Sequence, residues 1–136
     1  MAKSKTAIDV RFKKKIPGIS TAWVQHVIAK AHGRALRRCP VNVYLTDNKE
    51  IRKINKQFLK HDYATDVISF SLGDSNDLVV SFEMARQMAK ELKIPFREEL
   101  ARYLVHGTLH LLGYDDKKKS DHARMHARQE AILKKI

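Results

Sequence analysis

Residues 106–116 read HGTLHLLGYDD and place two histidines four positions apart, ahead of a glycine and an aspartate pair. Apolar residues at helical spacing lead into this stretch from Leu100 onward, so we predict a helix that ends at Gly113. On that helix His106 and His110 lie one turn apart on the same face. Such a pair can bind one metal ion through its ring nitrogens.

The third ligand is the open question of this motif. Asp116 follows the glycine by three residues, so the chain reads HxxxHxxGxxD where the long metzincin motif reads HExxHxxGxxH. The general-base glutamate of those proteases is replaced by Gly107, which argues against peptide hydrolysis. His122 is the rival third ligand, because it follows the KKKS segment and makes a second HxxxH pair with His126. The six-residue spacing favours Asp116.

The rest of the pattern predicts an α+β fold: a single domain over residues 1–136, with a small mixed β-sheet of about four strands packed with about five helices. The metal site lies on a helix of the C-terminal half. Alternation of apolar and polar residues predicts strands at 7–12, 41–45, 67–70 and 78–80. Helical spacing with N-caps at Ser20 and Asp47 predicts helices at 21–32, 48–58, 82–92, 95–113 and 120–135.

The charge of the chain predicts a polyanionic partner. Among its 136 residues, 27 are Lys or Arg and 15 are Asp or Glu, which gives a formal net charge of +12. Basic clusters without matching acidic runs favour nucleic acid. The clusters are Lys13 to Lys15, then Arg34 with Arg37 and Arg38, and Lys117 with Lys118 and Lys119.

The cysteine count and the hydropathy pattern bear on location. Cys39 is the only cysteine, so the sequence offers neither a disulfide framework nor a thiolate metal cluster, which suits a reducing compartment. No apolar run reaches the length of a membrane span, and the first residues lack the apolar core of a secretory signal. We therefore expect a cytoplasmic protein without a membrane partner.

The motif HGTLHLLGYDD resembles the signature HGxLHLxGYDH of the YbeY-like endoribonucleases, a family of ribosomal RNA maturation factors. It is identical at every specified position except the last, which is Asp116 here. Asn55, the pair Phe58-Leu59 and ATDVISF at 64–70 resemble a second family segment, and NDLVVS at 76–81 resembles a third. The resemblance extends from about residue 40 to residue 133.

This resemblance implies one zinc ion per chain, held by three side chains with a bound water in a positively charged cleft. His106 and His110 match two family ligands, and Asp116 occupies the place of the third. Another divalent ion with similar ligand preferences is the alternative to zinc. The implied activity is hydrolysis of RNA phosphodiester bonds in the maturation or quality control of small-subunit ribosomal RNA, with no DNA substrate expected.

The family arginine that follows the aromatic residue is Leu59 here, and leucine cannot stabilise charge on a phosphoryl group. We expect nearby Lys56, Lys60 or His61 to supply that charge. The predicted RNA-binding residues are these three together with Arg37, Arg38, Lys117, Lys118 and Lys119.

The metal is expected to activate water for attack on the phosphodiester. Asp115 or Asp66 would take or relay a proton, although each aspartate also suits a turn or a helix cap. Two other functions stay open. One is a ribosome-associated RNA-binding assembly factor with a structural metal, and the other is a small-molecule metallohydrolase, which would leave the charge of +12 unexplained.

Overall fold

A four-stranded mixed sheet forms the centre of the molecule. The computed structural model describes residues 8–33, 40–72, 75–114 and 117–136, with Leu72 described by its backbone alone. Within these residues the strands run in the order β1-β2-β4-β3. β1 pairs with β2 and β2 with β4 in parallel, whereas β3 pairs with β4 in antiparallel orientation. The strands are β1 Ile8–Phe12, β2 Val41–Thr46, β3 Val67–Leu72 and β4 Ser75–Ser81.

Five helices accompany the sheet in the described residues, and two begin at the predicted caps. Ser20 accepts a hydrogen bond from the backbone N–H of Trp23 at 3.0 Å, and Asp47 accepts one from Glu50 at 2.9 Å. No helix in the described ranges has the length and apolar content needed to cross a bilayer. The helices are α1 Thr21–His32, α2 Asn48–Leu59, α3 Phe82–Leu92, α4 Phe96–Leu111 and α5 Lys119–Leu133.

The alternation within the strands directs side chains to two separate hydrophobic layers. Val43, Leu78 and Val80 belong to the larger core, which also contains buried residues of α1, α3, α4 and α5. Ile68 and Val79 point to the other face and pack with Ile51 of α2. The sheet is therefore covered on both faces, and α4 lies in the larger layer.

The predicted α+β architecture is confirmed, with four strands and five helices in the described part of the chain. The predicted strands 67–70 and 78–80 were too short, because the hairpin ladder continues to the pair Leu72 and Ser75. Ser71 Oγ donates to Asn76 Oδ1 at 2.8 Å within this extension. The residues between the two predicted strands are rich in Gly, Asp, Ser and Asn, a composition typical of a turn, but Ser75 and Asn76 belong to the ladder.

Candidate metal centre and cleft

Gly107 sets the position of α4 against the sheet. Its carbonyl accepts a hydrogen bond from Ser69 Oγ at 3.0 Å, and a Cβ atom built on it would lie 2.8 Å from side-chain atoms of both Leu78 and Val67. Only glycine allows this close approach without a shift of the neighbours. The residue that replaces the zincin glutamate therefore faces the sheet, and its neighbour His106 is brought close to edge strand β3.

His106 and His110 converge as predicted. Their Nε2 atoms lie 3.1 Å apart, and their ring centroids are separated by 4.7 Å at an interplanar angle of 80°. Gly113, with φ of 99°, follows the end of α4, and its N–H donates to the carbonyl of His110 at 3.0 Å. The helix itself ends at Leu111, two residues before the predicted end, with Leu112 as its C-cap. The positive φ of Gly113 then turns the chain, as predicted, and explains why glycine occupies this position.

Each ring also has a hydrogen-bond partner at Nδ1, the nitrogen that faces away from the other histidine. His106 Nδ1 lies 2.8 Å from Gln129 Oε1, and Gln129 Nε2 donates to Glu130 Oε2 at 3.0 Å, which fixes the orientation of the amide. His110 Nδ1 lies 3.2 Å from the carbonyl oxygen of Tyr114. Both partners are hydrogen-bond acceptors, so an Nδ1–H on each ring would satisfy them and leave the two Nε2 atoms as the nitrogens that would bind a metal ion.

This arrangement fits a bound cation. Two nitrogens bound to one tetrahedral zinc ion at its usual bond length lie roughly 3.3 Å apart, close to the 3.1 Å between these Nε2 atoms. Oxygen acceptors on the opposite ring nitrogens are the usual support of histidine ligands. The described residues contain no group of three His, Cys, Asp or Glu side chains that could hold a metal ion, and Asp115 and Asp116 lie outside them.

A cleft of about 290 Å³ opens in front of the histidine pair. Asp66 lines it, and its Oδ1 accepts hydrogen bonds from the N–H of Val67 at 2.7 Å and the hydroxyl of Thr65 at 3.2 Å. The carboxylate thus caps the start of β3 and also borders the cleft. The described lining residues include no Lys or Arg and are Leu59, Asp66, Val67, Ile68, Ser69, Ser71, His106, His110 and Leu111.

His122 does not line this cleft. It belongs to the first turn of α5 and lines a separate cavity of about 100 Å³ together with His106, His126 and Gln129. It is not among the residues that line the cleft containing both His106 and His110. The choice between Asp116 and His122 as third ligand stays a prediction.

The support of His106 continues into an ionic network. Glu130 accepts from Arg102 through both oxygens, at 3.1 and 3.2 Å, and Arg102 also donates to buried Glu99 at 2.8 Å. The hydrogen bond from Arg102 lowers the pKa of Glu130, and the bond to Glu130 raises the pKa of Arg102. The network joins α4 to α5 and keeps Glu130 ionised, so that it can hold the Gln129 amide.

The predicted RNA-binding residues fall into two described groups. Lys56, Lys60 and His61 are exposed on α2 and just after it, beside Leu59 at the cleft. Lys117, Lys118 and Lys119 are exposed at the start of α5, whereas Arg37 and Arg38 lie outside the described residues. Of this segment only Leu59 lines the cleft, so RNA binding by either group stays a prediction.

Gln129 is the site residue that the sequence did not predict. Its only signal is its spacing, since it stands four residues after buried Met125 and three before buried Ile132. A polar residue in the buried stripe of a helix requires a hydrogen-bond partner. The identity of that partner depends on how α5 packs on α4, which no local pattern specifies.

Comparison with known proteins finds a matching family model, similar curated proteins and a similar solved structure. The family model described as Endoribonuclease YbeY matches residues 7–136. The curated protein named Endoribonuclease YbeY from Flavobacterium psychrophilum is 40% identical over 134 residues, which cover 93% of this chain and 90% of that protein. The protein of the same name from Elusimicrobium minutum is 36% identical over 141 residues, which cover 95% of this chain and 99% of that protein. The solution structure of TM1509 from Thermotoga maritima is similar, with a TM-score of 0.68, 25% identity and coverage of 93% of this chain and 87% of that one.

Proposed function

Because the chain belongs to the endoribonuclease YbeY family, we propose that it is a zinc-dependent endoribonuclease that acts on small-subunit ribosomal RNA. The observation that carries the proposal is the convergence of His106 Nε2 and His110 Nε2 at the cleft, 3.1 Å apart. A net charge of +12 supports an RNA substrate.

His106, His110 and Asp116 are the proposed ligands of one zinc ion, with His122 as the rival for the third place. When bound, such an ion supplies Lewis acidity towards a phosphate oxygen and a water of lowered pKa. The protein holds both imidazoles in the ligating tautomer through Gln129 and the Tyr114 carbonyl. Another divalent ion would suit the same donors.

Asp66 and Asp115 are the proposed proton acceptors. Asp66 borders the cleft that holds both histidines, which supports this role, while its bond to the Val67 N–H supports a structural one. Asp66→Asn keeps an oxygen acceptor for that N–H and removes the basic carboxylate. Lost cleavage in Asp66→Asn with an unchanged free energy of unfolding would establish the chemical role, and full cleavage would exclude it.

The basic side chains are proposed to bind the RNA backbone. Affinity should fall as salt rises, because each phosphate contact releases counterions. Substitution of one contact residue by Ala should reduce the salt slope by about one. The proposed contacts are Lys56, Lys60, His61, Lys117, Lys118, Lys119, Arg37 and Arg38.

One observation favours a second function. Leu59 lines the cleft, and none of the described lining residues is Lys or Arg. A cleft without a cationic fork lacks a usual means of stabilising the transferring phosphoryl group. The second candidate is therefore a ribosome-associated RNA-binding assembly factor in which the metal is structural.

Cleavage of single-stranded RNA by the zinc-loaded protein separates these functions. The wild type should cleave and His110→Ala should not, because the variant loses one of the two converging nitrogens. Equal cleavage by both would indicate a contaminating nuclease. RNA binding without cleavage in either would support the assembly factor instead.

Metal analysis addresses the third ligand without relying on activity. Purified wild type should contain about one zinc ion per chain, as expected for a single site. Asp116→Ala should lose the metal while His122→Ala retains it. The reverse result would assign the third place to His122.

The proposed location is the cytoplasm. The single cysteine, Cys39, is consistent with a reducing compartment. Fractionation of cells that express the chain with a small tag would test this, and recovery with membranes in low and high salt alike would contradict it.

A further inference from the structure

We propose that Phe58 and Tyr63 form a stacking platform for unpaired RNA bases beside the metal cleft. The inference rests on the proposed function and assigns residues that would contact the bases, rather than the phosphates, of its RNA. The platform consists of Phe58, His61 and Tyr63, with Leu59 as its border with the cleft.

The platform exposes aromatic surface in an unusual concentration. Phe58 is 62% exposed and Tyr63 is 55% exposed, and Leu59 between them is 44% exposed. Only five large hydrophobic side chains are exposed in the described part of the chain, and these are three of them within six residues. Clustered exposed apolar side chains mark interaction sites more often than isolated ones do.

The rings are held in place rather than left loose. Phe58 makes an edge contact with Phe70 of β3, with centroids 5.6 Å apart and an interplanar angle of 69°. Tyr63 stacks on His61 at 5.4 Å and 20°, and its hydroxyl lies 2.9 Å from His61 Nδ1. Little conformational entropy would therefore be lost when a base stacks on them.

Buried Asn55 holds the segment that carries these rings. Its carbonyl accepts from the N–H of His61 at 3.2 Å, and its side-chain amide donates to the carbonyl of Tyr63 at 3.0 Å. Lys60 ends α2 in the left-handed conformation, with φ of 60° and ψ of 29°. The turn after the helix is fixed at both ends, which keeps Tyr63 beside the end of α2.

The charge around the platform suits a nucleic acid. Lys53, Lys56 and Lys60 are exposed on the same helix or at its cap, while Asp62 of the same segment pairs with Arg52 at 2.8 Å and lies 3.9 Å from Lys56. Cations along an aromatic surface are the combination by which proteins bind single strands, because every base has a π face. A base on the platform would lead its phosphate towards Leu59 and the cleft.

Binding of the 136-residue chain to three labelled oligonucleotides of equal length tests the platform: a single strand, the same strand with abasic sites, and its duplex. Phe58→Ala and Tyr63→Ala should each weaken single-strand binding about tenfold, in line with the loss of one base stack. Both variants should bind the abasic strand and the duplex as the wild type does. A 2-aminopurine in the single strand should be quenched by the wild type and less so by the variants.

Leu92→Ala is the matched control, because Leu92 is 53% exposed at the end of α3, a helix that carries none of the platform residues. It should leave all three affinities unchanged. Unchanged single-strand affinity in both aromatic variants, with a wild type that still binds and cleaves RNA, would overturn the platform and leave the proposed function standing. Equal losses with the single and the abasic strand would also overturn it, and a wild type that binds no RNA would overturn both.

Discussion

Gln129 Oε1 lies 2.8 Å from His106 Nδ1, so a residue of α5 orients the ring of a proposed metal ligand on α4. The amide is fixed in turn by Glu130, which Arg102 of α4 holds through both carboxylate oxygens. The ligand is therefore oriented by a closed chain of hydrogen bonds between the two helices. Packing of α5 is part of the metal site although α5 contributes no proposed ligand other than the rival His122.

Gln129→Leu should lower zinc affinity by roughly 10- to 100-fold, the usual effect of removing a partner of a ligating histidine. Leucine has a similar size but cannot accept the His106 N–H. Gln129→Glu keeps an acceptor for the His106 N–H but replaces the donor to Glu130 by a second carboxylate, so its affinity should lie between those of Gln129→Leu and the wild type. Competition with a chelating dye measures both, and the free energy of unfolding of the metal-free proteins controls for packing. Equal zinc affinity in Gln129→Leu and wild type would show that Gln129 does not orient the ligand.

Gly107→Ala should destabilise the protein by about 1–3 kcal/mol, the usual effect of overpacking. The added methyl group would lie 2.8 Å from side-chain atoms of Leu78 and Val67 and 3.3 Å from Ser69 Oγ. The substitution should destabilise the protein less in a Val67→Ala background, where one of these contacts is removed. Urea unfolding of the wild type, the two single variants and the double variant completes the double-mutant cycle. Equal losses in both backgrounds would mean that contact with Val67 does not limit the approach of α4.

The features that the sequence predicted correctly depend on neighbours along the chain. Ser20 and Asp47 cap helices by bonding to N–H groups three residues on, and Gly113 turns the chain after α4 through its own backbone conformation. The histidine pair likewise needs only the 3.6-residue period of one helix. Such signals are readable because both partners lie within one turn.

The features that the sequence did not predict depend on contacts between distant segments. Gln129 meets His106 across 23 residues, and Gly107 meets Ser69 across 38. The sequence also did not predict the full length of the hairpin, because Ser71 and Asn76 are residue types common in turns. They pair in the ladder and are joined by a hydrogen bond between their side chains. Tertiary packing decided the positions of Gln129 and Gly107, whereas the hairpin was missed because of its local, turn-like composition.

His32 should make stability fall as the pH drops below 6.5. It is buried at the end of α1, and burial lowers its pKa, so the unfolded chain binds a proton more readily than the folded one. The stability is present above the unfolded pKa and decreases as the pH falls towards the folded pKa. His32→Leu should lack this pH dependence. As the pH falls from 7.5 to 5, the free energy of unfolding of the variant should therefore increase relative to that of the wild type. Parallel pH profiles would contradict the assignment.

Lys93→Gly should stabilise the protein by about 0.5–1 kcal/mol. The substitution relieves the strain of a side chain in the left-handed conformation, and this gain exceeds the extra backbone entropy that glycine loses on folding. Lys93 ends α3 with φ of 58° and ψ of 43°, and its N–H donates to the carbonyl of Lys90 at 3.3 Å. Lys90→Gly is the matched control, since the same charge is lost within the helix, where glycine costs about 1 kcal/mol. Urea unfolding should shift the two variants in opposite directions. A loss of stability in both would show that the backbone of Lys93 is not strained and that its side chain contributes to the fold.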